Sequence, residues 1–306
     1  MSGVLVIGAA GLIGRAVLAQ AERAGLVVDT VVGGASPAAP GAHVLRLSPG
    51  TVDPLARLLD RLEPDAIVNC AGRTSGDADE LWQANVEAVA ALLEAMRAAA
   101  PGARLVHLGS AAEYAEVPDG TTDEAAPLDA SSPYAASKLA AFRLVSDASE
   151  SGLDTVVARV FNPIGPGMSA TSLPGRAARL LQDAAAAGTA EIELGPLDAV
   201  RDYVDLRDIA TAVHVLASEP GLAHRVYNVG TGWPTVVRDL VGMIADRSDF
   251  TGEVLESAAA SPRSSGVGRQ VADIGRIRST GWMPTVELSE SVDALVSSVV
   301  DHGSSR

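Results

Sequence analysis

Val4-Leu5-Val6-Ile7-Gly8-Ala9-Ala10-Gly11-Leu12-Ile13-Gly14 opens the chain with an apolar run, a glycine-rich turn and the first residues of an amphipathic stretch. The apolar run, bounded by glycines, reads as a buried strand, and Leu12–Ala24 as the helix behind it. Glycines at positions 8, 11 and 14 let the backbone come close to a ligand, and the helix N-terminus that follows suits a pyrophosphate. A tight turn is the plain alternative. The strand–turn–helix order favours the phosphate loop, because that motif requires this context. Gly8, Gly11, Leu12, Ile13 and Gly14 are therefore candidate cofactor-binding residues.

The same alternation repeats downstream. Leu26–Val32, Val44–Leu47, Ala66–Asn69, Arg104–Leu108 and Thr155–Val160 read as short apolar strands. Asp53–Leu62 (with Asp53 as an N-cap before Pro54), Asp79–Ala99 and Pro133–Ala148 read as helices between them. Strands alternating with helices predict parallel βαβ units, hence an α/β fold with a doubly wound, Rossmann-like sheet. The pattern loosens after residue 162. Asn162–Gly175 reads as a loop, 173–187 as a helix and Glu191–Leu194 as a strand, with further helices in 233–306 around a loop at 259–270. We expect residues 1–162 to form a dinucleotide-binding domain and 163–306 a smaller C-terminal substrate-binding lobe. A strand within 224–230 is expected to return to the main sheet.

Composition narrows the function classes. Apolar residues make up 47% of the 306, enough for a sizeable core, and only 3% are aromatic, so Ala, Val and Leu must fill it. A net charge of −15 argues against a nucleic-acid partner. The five histidines lie far apart without ligand spacing, so no metal site is expected. Cys70 is the sole cysteine, which excludes an intrachain disulfide and fits a reducing compartment. The N-terminus has neither a basic leader nor a long apolar span. A cytoplasmic enzyme with no membrane partner is the expectation.

Lys138 is the only lysine in the chain, and Tyr134 precedes it by one helical turn, so both face one side. A compact ammonium can lower a neighbouring tyrosine's pKa from its usual ~10 and bind ribose hydroxyls, which a guanidinium does poorly. Tyr134 can then exchange a proton with an alcohol or ketone as hydride moves. Ser110, just past the strand Arg104–Leu108, is placed to hydrogen-bond the same oxygen. Alone it would be a turn residue; Tyr134 and Lys138 give it weight. Ser110, Tyr134 and Lys138 are the candidate catalytic residues, with Tyr134 and Lys138 also touching the cofactor.

These residues, together with Asn69-Cys70-Ala71-Gly72, Gly109-Ser110-Ala111-Ala112-Glu113-Tyr114, Ser132-Pro133-Tyr134, Arg159-Val160-Phe161-Asn162-Pro163-Ile164-Gly165-Pro166-Gly167, Arg201-Asp202-Tyr203-Val204-Asp205 and Gly281-Trp282-Met283-Pro284, make the chain resemble the extended short-chain dehydrogenase/reductases. That group contains the sugar-nucleotide epimerases, dehydratases and reductases. The resemblance covers nearly the whole chain. It implies an NAD or NADP cofactor contacted by Ala71 as well as the glycine loop, and a sugar-nucleotide substrate. It implies that Asn162, Arg201 and Arg263 bind the substrate, with the arginines on its diphosphate, and that the protein forms a homodimer through the helices at Asp79–Ala99 and Pro133–Ala148. Within the group, Gly-Ser-x-x-Glu-Tyr with Arg-Asp-Tyr-Val-Asp is most similar to the GDP-4-keto-6-deoxy-mannose reductases.

Several departures leave the cofactor form open. The end of the second strand, Val32-Gly33-Gly34, carries neither the carboxylate that favours NAD nor an arginine for NADP. Arg15 and Ser36 are possible 2′-phosphate contacts, and Arg46 stands where many members have an adenine-contacting Asp. Three functions follow: a 4-ketoreductase of a deoxysugar nucleotide, a sugar-nucleotide epimerase with tightly held NAD, or a non-catalytic dinucleotide sensor. The intact Ser-Tyr-Lys set argues against the last. Dehydratases of this type carry Asp-Glu directly after the serine or threonine; here those places are Ala111 and Ala112, and Glu113 is expected to point elsewhere.

Overall fold

In the first strand, β1 (Gly3–Ile7), Val4 and Val6 join one apolar cluster while Leu5 and Ile7 join another. Both faces are thus covered, as a parallel sheet requires. The computed structural model describes residues 3–33, 42–257 and 267–303. Its remaining strands are β2 (Val27–Val32), β3 (His43–Val44), β4 (Ala66–Asn69), β5 (Arg104–Ser110), β6 (Thr155–Val160), β7 (Asn162–Ile164), β8 (Glu191–Leu194), β9 (Val200–Arg201), β10 (Tyr203–Asp205), β11 (Val226–Val229), β12 (Thr235–Val236), β13 (Glu253–Glu256) and β14 (Arg269–Gln270). The helices are α1 (Leu12–Arg23), α2 (Val52–Leu62), α3 (Ala78–Trp82), α4 (Ala88–Ala99), α5 (Pro133–Glu150), α6 (Leu173–Ala187), α7 (Leu206–Ser218), α8 (Val237–Arg247), α9 (Gly275–Arg278) and α10 (Leu288–Gly303).

Seven strands form one sheet in the order β11-β6-β5-β4-β1-β2-β3, and every pairing in it is parallel. This is the doubly wound α/β arrangement. One face packs Val4, Val6, Val68 and Val106 against α1 and α7. The other packs Leu5, Ile7, Ile67 and Leu105 against α2, α4 and α5. A separate apolar cluster joins α6, α8 and α10 through Leu181, Leu240, Ile244 and Leu295. The C-terminal ends of β1, β4 and β5 carry the glycine loop, Ala71 and Ser110 to one edge of the sheet.

The structure differs from the sequence reading in several elements. α2 begins at Val52 with Thr51 in the cap position, so Asp53 lies inside the first turn rather than capping it. The start is set earlier, where the Ser48 N–H donates to Thr51 Oγ1 at 2.9 Å. The third strand ends at Val44, beyond which the Leu45 N–H still donates to the Val32 carbonyl at 3.0 Å. The stretch Asn162–Gly175 is not all loop: β7 pairs in parallel with β10, while α6 starts at Leu173 as the helix expected over 173–187. The predicted helix Asp79–Ala99 is interrupted by a wide π-type turn over Gln83–Glu87.

α7 is absent from the sequence reading. Ile209, Thr211, Val213 and Val215 are β-branched, which weighs against helix propensity. Burial of Ile209, Ala212, Val213 and Leu216 on the sheet outweighs that preference. Three aspartates around it act as staples. Asp202 accepts from the Thr231, Gly232 and Ala272 N–H groups at 2.8, 2.8 and 3.1 Å. Asp205 caps α7 and accepts from Ser291 Oγ at 2.6 Å. Asp208 accepts from the Thr285 and Val286 N–H groups, each at 3.0 Å.

Candidate active site

The glycine turn is closed to side chains. Gly8 has φ +78°, and a Cβ there would fall 2.6 Å from the Ala71 nitrogen. A Cβ at Gly14 would fall 2.1 Å from the Gly8 carbonyl oxygen. Gly11 stands at the N-cap of α1 and offers no capping side chain, so the first-turn N–H groups, at Leu12 and Ile13, have no side-chain acceptor. Such a cradle fits a dinucleotide pyrophosphate, with Ala71 packed against the loop. Arg15 donates to the Ala10 carbonyl at 2.7 Å, and its guanidinium lies beside Gly167. Arg46 is exposed. Gly34 and Ser36, at the place that distinguishes NAD from NADP, lie outside the described residues.

Ser110 ends β5 and caps the single helical turn Ala111–Glu113. Its Oγ accepts from the Ala112 N–H at 3.2 Å, which leaves its own proton for another acceptor. α5 starts at Pro133, with Ser132 Oγ capping the Ala135 N–H at 3.1 Å, and this start places Tyr134 and Lys138 one turn apart. Lys138 is buried and donates from Nζ to the Leu108 carbonyl at 2.6 Å. Burial lowers its pKa, while Glu113 and Cys70 oppose that shift. The Cys70 thiol is pushed up to about 12 by burial, against the pull of Lys138, so it stays a neutral thiol.

Two polar residues that the sequence reading passed over hold this frame. Asn85, 2% exposed, sits in the π-type turn. Its amide donates to Ser137 Oγ at 2.9 Å, and Ser137 Oγ donates to the Tyr134 carbonyl at 2.8 Å. Its oxygen accepts from the Arg73 N–H at 2.8 Å. An Asn on the same helical face as the apolar Leu81, Ala88 and Val89 is the signal that could have found it. His107, under the sheet edge, accepts at Nδ1 from Asn69 Nδ2 at 3.2 Å. Asn69 Oδ1 accepts from the Ala71 N–H at 3.1 Å, which fixes that amide's orientation and leaves the His107 proton on Nε2. Burial, then the Lys138 charge, holds His107 well below its ordinary pKa.

A cavity of about 740 Å³ opens beside these residues, lined by Ser110, Tyr134, Asn162, Arg176 and Arg201 among others. Lys138 lies behind this wall. Asn162 donates from Nδ2 to the Asp202 carbonyl at 3.0 Å. Arg201, 7% exposed, donates to the carbonyls of Val200 and Val267 at 2.9 and 2.8 Å. Its guanidinium therefore also pins the segment after the 258–266 stretch. Arg263 lies outside the described residues. Arg176, half-buried in the first turn of α6, was not singled out in the sequence; among the described residues it has no ion-pair partner. Glu113 is fully buried and turned away from the cavity, with Oε2 accepting from Arg159 Nε at 2.7 Å. Among the described residues no group of three or more His, Cys, Asp or Glu could hold a metal, and no helix is long and apolar enough to cross a membrane.

The model of the NAD dependent epimerase/dehydratase family matches residues 4–230. A dTDP-6-deoxy-L-talose 4-dehydrogenase (NAD(P)(+)) of Kitasatospora kifunensis is 40% identical over 302 residues, covering 95% of this chain and 94% of the relative. A GDP-6-deoxy-D-mannose reductase of Pseudomonas aeruginosa is 30% identical over 252 residues, 76% of this chain and 80% of the relative. Among solved structures, the UDP-glucose 4-epimerase of Thermus thermophilus in complex with NAD superposes with a TM-score of 0.83 at 26% identity, covering 97% of this chain and 99% of that one.

Proposed function

The chain belongs to the NAD dependent epimerase/dehydratase family, and from that membership we propose that it is an NAD(P)-dependent oxidoreductase acting at C4 of a 6-deoxyhexose nucleotide. In one direction it reduces a 4-keto group; in the other it oxidises the 4-hydroxyl. The observation that carries this reading is the meeting of Ser110 and Tyr134 with Asn162, Arg176 and Arg201 around one cavity. The one cavity thus brings hydrogen-bonding and proton-transferring groups together with groups able to bind a diphosphate. The 40%-identical relative, named as a 4-dehydrogenase of a 6-deoxyhexose nucleotide, supports the choice of C4 and of the deoxysugar.

The nicotinamide ring, when bound, gives or takes the hydride. The chain's own residues do the rest. Ser110 donates a hydrogen bond to the C4 oxygen. Tyr134 gives that oxygen a proton in reduction and removes one in oxidation. Lys138, buried and tethered to the Leu108 carbonyl, presents a positive charge one turn from Tyr134 and favours its anion. Arg176 and Arg201 offset the repulsion that a chain of net charge −15 exerts on a diphosphate. Ala111 and Ala112 offer no acid–base pair for a dehydration, and Glu113 is tied to Arg159.

A test is turnover of a panel of dTDP-, GDP- and UDP-linked hexoses and 6-deoxyhexoses with NAD⁺ and NADP⁺, followed by absorbance of the reduced cofactor. Oxidation of dTDP-6-deoxy-L-talose or a close relative is expected. The likeness to the NAD-complexed epimerase defines the competing reading. Protein purified with NAD already bound, inverting C4 without net reduction of added cofactor, would favour epimerisation.

A further inference from the structure

Glu113 and Arg159 form an ion pair sealed from water: their side chains are 0% and 1% exposed. Burying two charges costs several kcal/mol per ion even when they are paired, and apolar residues of similar volume often replace such a pair without loss of stability. Stability alone is therefore a poor account of it, and its contacts suggest another.

Glu113 closes a four-residue ring onto Ser110. Oε1 accepts from the Ser110 N–H at 2.7 Å, while Ser110 Oγ caps the same turn. Oε2 takes the Arg159 Nε–H at 2.7 Å. Arg159 lies on β6 directly across from Gly109. A Cβ at Gly109 would fall 2.9 Å from Glu113 Oε1 and 3.2 Å from Arg159 Cγ, so this corner has little slack. The guanidinium is stacked between two rings, 4.6 Å from the centroid of Tyr114 and 4.2 Å from that of Phe142. Phe142 stands one turn beyond Lys138 on α5, so residues 134, 138 and 142 follow one helical face. Tyr114 in turn donates from its hydroxyl to Asn228 Oδ1 at 2.6 Å, anchoring the corner to β11. A continuous path thus runs from the Ser110 backbone through Glu113 and Arg159 to the helix that carries Tyr134 and Lys138.

We propose that Glu113 and Arg159 are positioning residues that hold the Ser110 hydroxyl at a fixed place relative to the Tyr134–Lys138 face of α5. The proposal rests on the reading of Ser110, Tyr134 and Lys138 as the catalytic set. Neither charged group lines the cavity, so neither touches substrate. Their effect falls on kcat, because misplacement of a hydrogen-bonding group by about 1 Å costs about 10²-fold in rate. Substrate affinity, which the proposed function gives to Arg176 and Arg201, is untouched, because neither arginine contacts the Glu113–Arg159 pair.

The decisive variant is the double replacement Glu113→Leu with Arg159→Met, assayed with the panel member turned over fastest. Expected are a melting temperature near that of the parent, unchanged NAD(P)H affinity, a KM within about twofold and a kcat lowered by about 10–10²-fold. A folded double variant with parental kcat overturns the proposal and leaves a structural pair. If the double variant does not fold, Glu113→Gln decides. It keeps an acceptor for the Ser110 N–H but removes the charge that orders Arg159; reduced kcat at constant KM supports the proposal, and parental kcat overturns it. Tyr134→Phe run beside them separates the two levels. Activity lost there but kept in the Glu113 variants sinks only the positioning role, whereas activity kept in Tyr134→Phe sinks the catalytic reading beneath it.

Discussion

Tyr134 meets the cavity while Lys138, four residues on, is withdrawn behind it with its ammonium fixed on the Leu108 carbonyl. That division of labour makes two substitutions informative. Tyr134→Phe should lower kcat by about 10²-fold or more with cofactor binding nearly intact, since only the proton transfer is removed. Lys138→Arg should fail as well: the broad guanidinium does not fit where a compact ammonium is enclosed. Steady-state kinetics with a cofactor titration checks both, and near-parental turnover in either would contradict the assigned roles. His107 supports a prediction about pH. An unfolded histidine titrates near ~6.5, whereas burial keeps the folded one neutral well below that. As pH falls through that value, the unfolded chain binds a proton that the native state refuses, so stability is lost with acidification. The slope attributable to His107 approaches ~1.4 kcal/mol per pH unit. Urea unfolding of the parent and of His107→Gln at pH 7.5, 6.5 and 5.5 should show the parent losing more; parallel curves would rule this out. As a candidate pair, Tyr134 and Lys138 are legible in the sequence because a one-turn spacing is local and the lone lysine stands out among arginines, and Ser110 takes its weight from them. Arg159 and Arg176 are not, because their meaning lies in contacts with distant residues that no local period announces; Asn85 shows only as a polar residue on an apolar helical face.

At the level of elements, the motif Arg201–Asp208 carries more architecture than its sequence suggests. Arg201 reads from the sequence as a phosphate ligand, yet its buried guanidinium also holds two backbone carbonyls besides facing the cavity. Asp208 gathers both N–H groups that lead into α10, together with the Thr285 hydroxyl at 3.0 Å. Asp208→Ala strands those two amides and should destabilise the protein by about 2–4 kcal/mol. Asp208→Asn, which keeps an acceptor, should cost less than half as much. Denaturant unfolding measures both, and an alanine variant within ~0.5 kcal/mol of the parent would mean that water satisfies the freed amides. β1, β2, β4, β5 and β6 are readable because they are short, mostly apolar runs flanked by turn residues. α7 is not, because its β-branched residues speak for strand and only the covered sheet face makes it a helix. The π-type turn at Gln83–Glu87 is likewise silent in a sequence that reads as one long helix.

For the whole molecule, we propose a homodimer through α4 and α5. The small residues of these two helices divide in the structure. Ala88, Ala91, Ala135 and Ala141 are buried within the chain itself, while Ala90 is exposed and Ala136 and Ala140 are half-buried. The outer set, with Trp82 at 48% exposure on the adjoining α3, is what a second copy could cover. Light scattering should give twice the 31.1 kDa chain mass at micromolar concentration, and Ala90→Arg should halve it; a parent at the single-chain mass would exclude the dimer. The sheet order has a further consequence for how the molecule is made. β6 pairs on its outer side with β11, whose residues follow only after β7 to β10 and α6 and α7. On the ribosome the nascent sheet therefore waits with the edge of Thr155–Val160 unprotected, all six of its residues destined for burial. At about 5–20 residues per second that interval lasts several seconds. A chain released before Val229 would keep this adhesive edge for good, so premature termination there should give aggregates rather than a free-standing nucleotide-binding half.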